Sequence, residues 1–183
     1  MNFLQRLKNK LYYNALNKSL HKSRVLRLST SLKEAETVGV LFNATEEEQI
    51  KIVLAYSKEL SKKGKSVDLL GFINTKKEVE EERFSFFTKK DIDFVGKPKG
   101  EAMNQFMGQP FDLLINLSGK TNPPFDYIMA LSKASFRVGP STENTFSSDL
   151  MIDTKNPDDL ANFIKQAEFF LNKMTTQHES IPA

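Results

Sequence analysis

The side chains that could carry catalysis are few in this chain of 183 residues. It has no Cys, which excludes disulfides, thiolate metal sites and Cys nucleophiles. Its two His, His21 and His178, lie near opposite ends of the chain. A zinc site or a Ser-His-Asp triad would therefore need a residue from one terminus. We predict no catalytic residue, no metal site and no cofactor, and we favour a protein that is not an enzyme.

Polar loops that follow apolar segments could instead bind an anion or a sugar. Gly119-Lys120-Thr121 follows the strongest strand signal and is similar to the end of a phosphate-binding P-loop. That motif needs another Gly five residues before Gly119, where this chain has Leu114. We interpret this segment as a polar crossover loop and the hydroxyl-rich segment 141–145 as a turn. Three carboxylates that flank strands are interpreted as solvated strand ends: Asp112, Asp149 and Asp153.

A candidate ligand pocket follows from the expected fold. In open parallel sheets, ligands bind beyond the carboxyl ends of the strands. Four polar residues follow predicted strands and would line such a pocket: Asn43, Ser118, Lys120 and Ser141. We give a small-molecule ligand less weight than the anionic partner considered next.

Charge is divided unevenly along the chain. Residues 1–33 hold eight basic side chains and no acidic one, whereas the remaining 18 basic and 23 acidic residues give a net charge of −5. Like charges repel one another unless an anionic partner offsets them. We therefore predict that the basic segment binds such a partner through Arg6, Lys8, Lys10, Lys18, Lys22, Arg24 and Arg27.

Three partners fit the basic segment. RNA, as in a ribosome, is favoured and would meet Lys and Arg through its phosphates. An anionic membrane surface would also take the apolar stripe of Phe3, Leu4, Leu7 and Leu11. In the third alternative, this stripe packs on the protein's own domain or on a second copy. We expect a cytoplasmic accessory protein, with a location at the face of the inner membrane as the alternative.

The first elements follow from apolar periodicity. Residues 3–22 are predicted to form a basic amphipathic helix, and residues 23–31 a connector. The apolar run 38–42 predicts a strand buried on both faces. Thr45 and Glu48 have the spacing of a capping box for a helix that ends at Gly64, and residues 67–73 predict the next strand.

The remaining elements continue this alternation. Strands are predicted at 84–87, 92–95, 111–117, 136–138 and 150–152, and helices at 101–107, after Pro124, and from an N-cap at Asn156. The predicted class is α/β, an open, mostly parallel Rossmann-like sheet flanked by helices. We divide the chain into the basic helix and connector (1–33), the Rossmann-like domain (34–174) and a polar tail (175–183).

Residues 111–140 are similar to the N-terminal half of heptosyltransferase-type glycosyltransferases. The matching segments are Phe111-Asp112-Leu113-Leu114-Ile115-Asn116-Leu117, Ala130-Leu131-Ser132-Lys133-Ala134 and Phe136-Arg137-Val138-Gly139. This resemblance implies a Rossmann-like fold and, as an alternative function, binding of a nucleotide or sugar nucleotide. In size and layout, the whole chain resembles an uncharacterised family of small Bacteroidota proteins with a basic N-terminal helix and one Rossmann-like domain.

Overall fold

The computed structural model describes residues 3–20, 25–119, 122–142, 144–154 and 156–174. Its strands are β1 Thr37–Asn43, β2 Ser66–Ile73, β3 Ser85–Thr88, β4 Leu113–Asn116, β5 Phe136–Pro140 and β6 Leu150–Ile152. Its helices are α1 Phe3–Leu20, α2 Glu47–Lys62, α3 Glu101–Gly108, α4 Pro123–Leu131 and α5 Leu160–Lys173, with one short 3₁₀ helix at Lys89–Asp91.

The six strands form one sheet in the order β3-β2-β1-β4-β5-β6. Every neighbouring pair of strands in it is parallel. The predicted α/β class with an open parallel sheet is therefore confirmed. The chain builds outward from β1 to β3, returns to place β4 on the other side of β1, and then continues to β6.

Side chains of β1 enter two separate cores because successive residues of a strand point to opposite faces. Val38, Val40 and Phe42 pack in a core with residues of α2 and α5. Leu41 packs in the other core with residues of α3 and α4. The sheet is thus covered on both faces, as its continuous apolar strands predict.

Two helix starts differ from the sequence prediction. Thr45 does not cap α2: its hydroxyl donates to Asn43 Oδ1 at 2.7 Å and accepts from the Asn74 backbone N–H at 3.1 Å. This hydroxyl therefore ties the ends of β1 and β2 together instead. Asn156 does not cap α5, because its side chain accepts from the Asp158 N–H in a local turn and Asp159 caps the helix. In both cases a short polar side chain has two local hydrogen-bond choices that the sequence alone does not rank.

The predicted strand at residues 92–95 is also wrong. This segment follows the 3₁₀ helix and forms a turn, with one isolated antiparallel bridge between Ile92 and Pro98. Asp93 holds the turn, since its Oδ1 accepts from the N–H groups of Val95 and Lys97. Apolar residues at alternate positions favoured a strand. In the structure the Asp93 carboxylate instead accepts the backbone hydrogen bonds that a neighbouring strand would otherwise accept.

Candidate functional site

One face of α1 packs on the protein's own domain. Tyr12 and Leu16 are buried and form a small apolar cluster with Tyr127 and Ala130 of α4. The Tyr12 hydroxyl donates to the Pro123 carbonyl oxygen at 2.6 Å. Burial, with the nearby Asp126 carboxyl, raises the pKa of Tyr12 above its ordinary value, so this hydroxyl keeps its proton and remains a donor. These contacts anchor α1 to α4.

A chain of side-chain hydrogen bonds extends this anchor. Tyr13 donates its hydroxyl hydrogen to Asn144 Oδ1 at 3.0 Å, and Asn144 Nδ2 donates to Asp126 Oδ2 at 2.8 Å. Burial raises the pKa of Asp126 to about 6, although hydrogen bonds from Asn144 and Ser147 favour its charged form. A buried carboxyl of α4 is therefore linked through one amide to the surface of α1.

The outward part of α1 carries apolar and basic side chains together. Leu7 and Leu11 are 44% and 39% exposed, and Lys8, Lys10 and Lys18 are also exposed. At 3.6 residues per turn, Leu7, Leu11 and Lys18 fall within about 40° of one another around the helix. Of the apolar residues of α1, the structure buries Tyr12 and Leu16 and leaves Leu7 and Leu11 facing outward.

The remaining residues predicted to bind an anion have different positions. Arg27 is half-buried, and its guanidinium donates to the carbonyl oxygens of Ala130, Ser132 and Ala134 at the end of α4. Burial and the neighbouring Arg137 lower the pKa of Arg27 to about 10. Arg27 thus stabilises the carboxyl end of α4. Lys22 and Arg24 lie outside the described residues, as do the side chains of Phe3, Leu4 and Arg6.

A large exposed aromatic side chain lies beside α1. Phe94, in the turn held by Asp93, is 74% exposed. Residues 92–96 of this turn and residues Lys8, Tyr12 and Tyr13 of α1 line the same crevice, of about 470 Å³. The sequence prediction did not identify Phe94 as an exposed side chain, because it assigned residues 92–95 to a strand and so placed Phe94 within the sheet.

A second candidate site lies between β1 and β4. The loops after these two strands lead to helices on opposite faces of the sheet, α2 and α4, which opens a cleft at their carboxyl ends. The cleft has a volume of about 220 Å³, and Asn43 and Ser118, two of the four residues proposed from the sequence, line it. Ser141 does not line it, because Ser141 follows β5 and its N–H donates to the Ile152 carbonyl oxygen. Lys120 lies outside the described residues.

Gly119 closes one side of this cleft. Its φ of 67° lies in the left-handed region, which non-glycine residues rarely adopt. A Cβ on Gly119 would lie 1.9 Å from the Pro157 carbonyl oxygen. The loop after β4 can therefore contact the loop before α5 only because residue 119 is Gly.

Sequence reasoning missed several residues of the cleft. Gln49 in the first turn of α2 and Asn122 just before α4 supply amide side chains to its rim. Leu117, Leu160 and Phe163 are buried and supply its apolar floor. Asn122 follows a predicted strand, so the strand-end rule alone could have included it. Gln49 and Phe163 depend on how α2 and α5 pack, which the sequence pattern does not specify.

The carboxylates near strand ends have structural roles. Asp112 accepts from the Thr37 hydroxyl and from the N–H groups of Glu36 and Thr37. Burial raises the pKa of Asp112, but these hydrogen bonds outweigh it and lower the pKa overall. Asp149 forms a two-pronged ion pair with the buried Arg137, with distances of 2.9 and 2.8 Å. Asp112 is half-buried, so it is not a solvated strand end, whereas Asp149 and Asp153 are exposed.

Most of the chain matches a known protein family. Residues 8–174 match a family of unknown function, DUF6913. The chain belongs to the DUF6913 family. Comparison with curated proteins gave no match. The DUF6913 match begins within α1 and extends just past α5, so most of the basic helix and the whole sheet fall inside one family unit.

A metal site in this DUF6913 chain would need several ligand side chains grouped together. In residues 3–20, 25–119, 122–142, 144–154 and 156–174, no three His, Asp or Glu side chains are grouped so that they could hold an ion. The described lining of the two candidate sites holds an ammonium group at Lys8, carboxyls at Asp93 and Asp158, and amide and hydroxyl groups such as those of Asn43 and Tyr12.

Proposed function

We propose that this protein is a non-enzymatic accessory protein that docks on an anionic lipid surface through α1. One observation carries the proposal: Leu7 and Leu11 are exposed beside lysines although Tyr12 and Leu16 anchor the same helix to α4. A helix needs only one apolar face to pack on its domain. The second apolar face, bordered by positive charge, has the chemistry of an interfacial helix.

The exposed leucines favour lipid over RNA as the anionic partner. RNA is bound by Lys and Arg through its phosphates and gains little from aliphatic side chains. A lipid surface uses both groups, because the leucines enter the acyl boundary while the ammonium groups meet the headgroups. Each buried CH₂ contributes about 0.8 kcal/mol to such binding.

A second copy of the chain is a poorer partner for this face. Two copies that met through α1 would bring Lys8, Lys10 and Lys18 of each together, and residues 1–33 hold no acid to compensate. Like charges placed across an interface oppose association. Charge complementarity therefore supports an anionic surface.

The proposal concerns docking at the membrane surface. No helix in the part of the chain that the structure describes is long and apolar enough to cross a membrane. Phe94 lies beside α1 and is highly exposed, so it would enter the same interface as Leu7 and Leu11.

Vesicle co-flotation with the full chain tests the proposal. Vesicles of phosphatidylcholine with phosphatidylglycerol should bind the protein at low salt, and vesicles of phosphatidylcholine alone should bind it weakly. Replacement of Lys8, Lys10 and Lys18 by Gln should reduce binding about a hundredfold, at roughly 1 kcal/mol per Lys near an anionic surface. The double variant Leu7→Asn/Leu11→Asn should also reduce it.

The matched control replaces three exposed lysines of α2, Lys51, Lys58 and Lys62, by Gln. It removes the same charge from the other face of the sheet and should bind like the wild type. Co-sedimentation with ribosomes is measured in parallel. Binding to ribosomes without binding to vesicles would overturn the lipid proposal in favour of RNA, and equal loss in the α2 control would show that only net charge matters.

A further inference from the structure

The outer edge of β2 is only partly covered by β3. Residues 66–69 of β2 pair with β1, but β3 begins only opposite Leu70. Ser66 donates its N–H to the Glu36 carbonyl oxygen on the β1 side. Because backbone groups of successive strand residues alternate between the two sides, the N–H and C=O of Val67 point to the open edge. Within the described residues, these two groups have no hydrogen-bond partner.

A groove runs along this open edge. It has a volume of about 410 Å³, and its lining includes Leu54 and Leu69 from the core under α2 and Phe106 from the core under α3. A smaller cavity of about 180 Å³ shares Asp68 and Gln109 with the groove and extends it to the start of β2. Side chains from both faces of a sheet can line one cavity where the sheet ends. The groove therefore lies beside the open backbone groups.

One carboxylate in this groove is available to a partner. Asp68 is exposed, and within the part of the chain that the structure describes its side chain makes no hydrogen bond or ion pair. Arg83, the other charged residue of the lining, pairs with Glu47 and Glu81 at 2.7 Å each, so its charge is already compensated. All of these residues fall within 25–119, a range that the structure describes without a gap. The groove thus offers its open carboxylate to a cationic group.

An extended peptide matches both the open backbone groups and the carboxylate. A strand edge binds a peptide that adds a further strand and pairs with its N–H and C=O groups. Residues that lie opposite each other on neighbouring strands project to the same face. A peptide residue opposite Asp68 would therefore face this carboxylate, and its two neighbours would face Leu54 and Leu69. We propose that this edge binds an extended segment of a partner protein in which a Lys or Arg lies between two apolar residues.

A second copy of the chain is a poorer occupant of this edge. Two copies joined through their β2 edges would bring two Asp68 carboxylates together, and like charges across strands oppose pairing. Charged side chains on edge strands commonly prevent such self-pairing. Four residues at about 3.3 Å each make the open stretch about 13 Å long, which suits a short peptide segment.

NMR spectroscopy of the full chain, titrated with short peptides, tests this proposal. The probe acetyl-Thr-Val-Lys-Val-Thr-amide at millimolar concentration should shift the amide signal of Val67, because this N–H gains an acceptor. Replacement of Lys by Glu in the probe should weaken binding about fivefold, since a cross-strand attraction becomes a repulsion. N-methylation of the three central residues of the probe should abolish binding, because it removes the backbone donors.

The variant Asp68→Lys should reverse the preference, so that the Glu peptide binds more tightly than the Lys peptide. The matched control Asp153→Lys makes the same change of charge just beyond β6, at the opposite edge of the sheet, and should keep the wild-type preference. The peptide comparisons use the wild-type chain, so the test stands even if Asp68→Lys does not fold.

Four results would overturn the peptide proposal. The first three are an unshifted Val67 amide with the Lys peptide, equal binding of the N-methylated peptide, and an unchanged preference in Asp68→Lys. The fourth is slow hydrogen exchange of the Val67 amide before any peptide is added, since the edge would then already be paired within the chain or with a second copy.

Discussion

Asp126 shows how strongly one buried residue can depart from its behaviour in water. Its carboxyl lies in the first turn of α4, is only 2% exposed and faces Asn144 and Ser147. Desolvation disfavours the charged form more than these two hydrogen bonds favour it, which raises its pKa from 3.8 to about 6. Because the pKa of this carboxyl is raised, the folded state binds more protons than the unfolded state between pH 3.8 and about 6.

We predict that Asp126→Asn changes the pH dependence of stability. Between pH 3.8 and about 6, the wild type should lose free energy of unfolding as pH rises, by up to about 3 kcal/mol. The variant should lack this loss and exceed the wild type by up to about 3 kcal/mol at pH 7, with little difference at low pH. Urea denaturation across this range measures it. Asp153→Asn, at an exposed site, is the control, and a variant that is less stable at pH 7 would contradict the prediction.

At the scale of elements, the loops after β4 and before α5 are coupled through one contact. Gly119 and Pro157 bring together segments that are distant in sequence but adjacent at the carboxyl edge of the sheet. Because both segments line the cleft between β1 and β4, this contact also sets the shape of the cleft.

We predict that Gly119→Ala lowers the free energy of unfolding by about 2 kcal/mol or more. The left-handed conformation alone costs a non-glycine residue about 1–2 kcal/mol, and the Cβ would collide with the Pro157 carbonyl oxygen. Gly108→Ala is a matched control, since nothing lies within 4 Å of a Cβ there and its φ is not positive. The control should change stability by less than about 1 kcal/mol in the same urea experiment. Equal effects of the two substitutions would contradict the proposed contact.

At the scale of the molecule, two faces carry exposed aromatic residues that differ in their surroundings. Phe94 lies beside the basic helix α1, whereas Phe169 and Phe170 lie on α5, which covers the other face of the sheet. If the molecule docks through α1, only the first face meets the membrane.

We therefore predict that Phe94→Ser weakens binding to anionic vesicles about tenfold. Burial of a Phe side chain contributes about 1.5–3 kcal/mol, and partial insertion recovers part of this. Phe169→Ser removes the same side chain from the opposite face and should leave vesicle binding unchanged. The co-flotation assay used for the lysine variants measures both. Loss of binding in both variants would indicate a general effect of surface aromatics, and loss in neither would remove Phe94 from the interface.

Much of the fold was accessible from the sequence because its signals are local. Continuous apolar runs such as residues 38–42 belong to buried parallel strands, and Gly64 ends α2 as predicted. The wrong predictions concern segments in which a short polar side chain could form a hydrogen bond with more than one neighbouring group, as at Thr45, Asp93 and Asn156. Of the predicted pocket residues, Asn43 and Ser118 meet because β1 and β4 are adjacent, whereas Ser141 lies two strands from β1.

The sequence by itself determined the division into a basic segment and an acidic body and, apart from the turn at residues 92–95, the order of strands and helices, since both depend mainly on residue type and spacing. Tertiary structure alone decided which side of α1 is buried, because that requires the complementary surface of Tyr127 and Ala130 on α4. The tertiary structure also places the Arg27 guanidinium at the carboxyl end of α4, and it places Gln49 and Phe163 beside the cleft. Such contacts join residues far apart in the chain, and their formation depends on packing that no local pattern encodes.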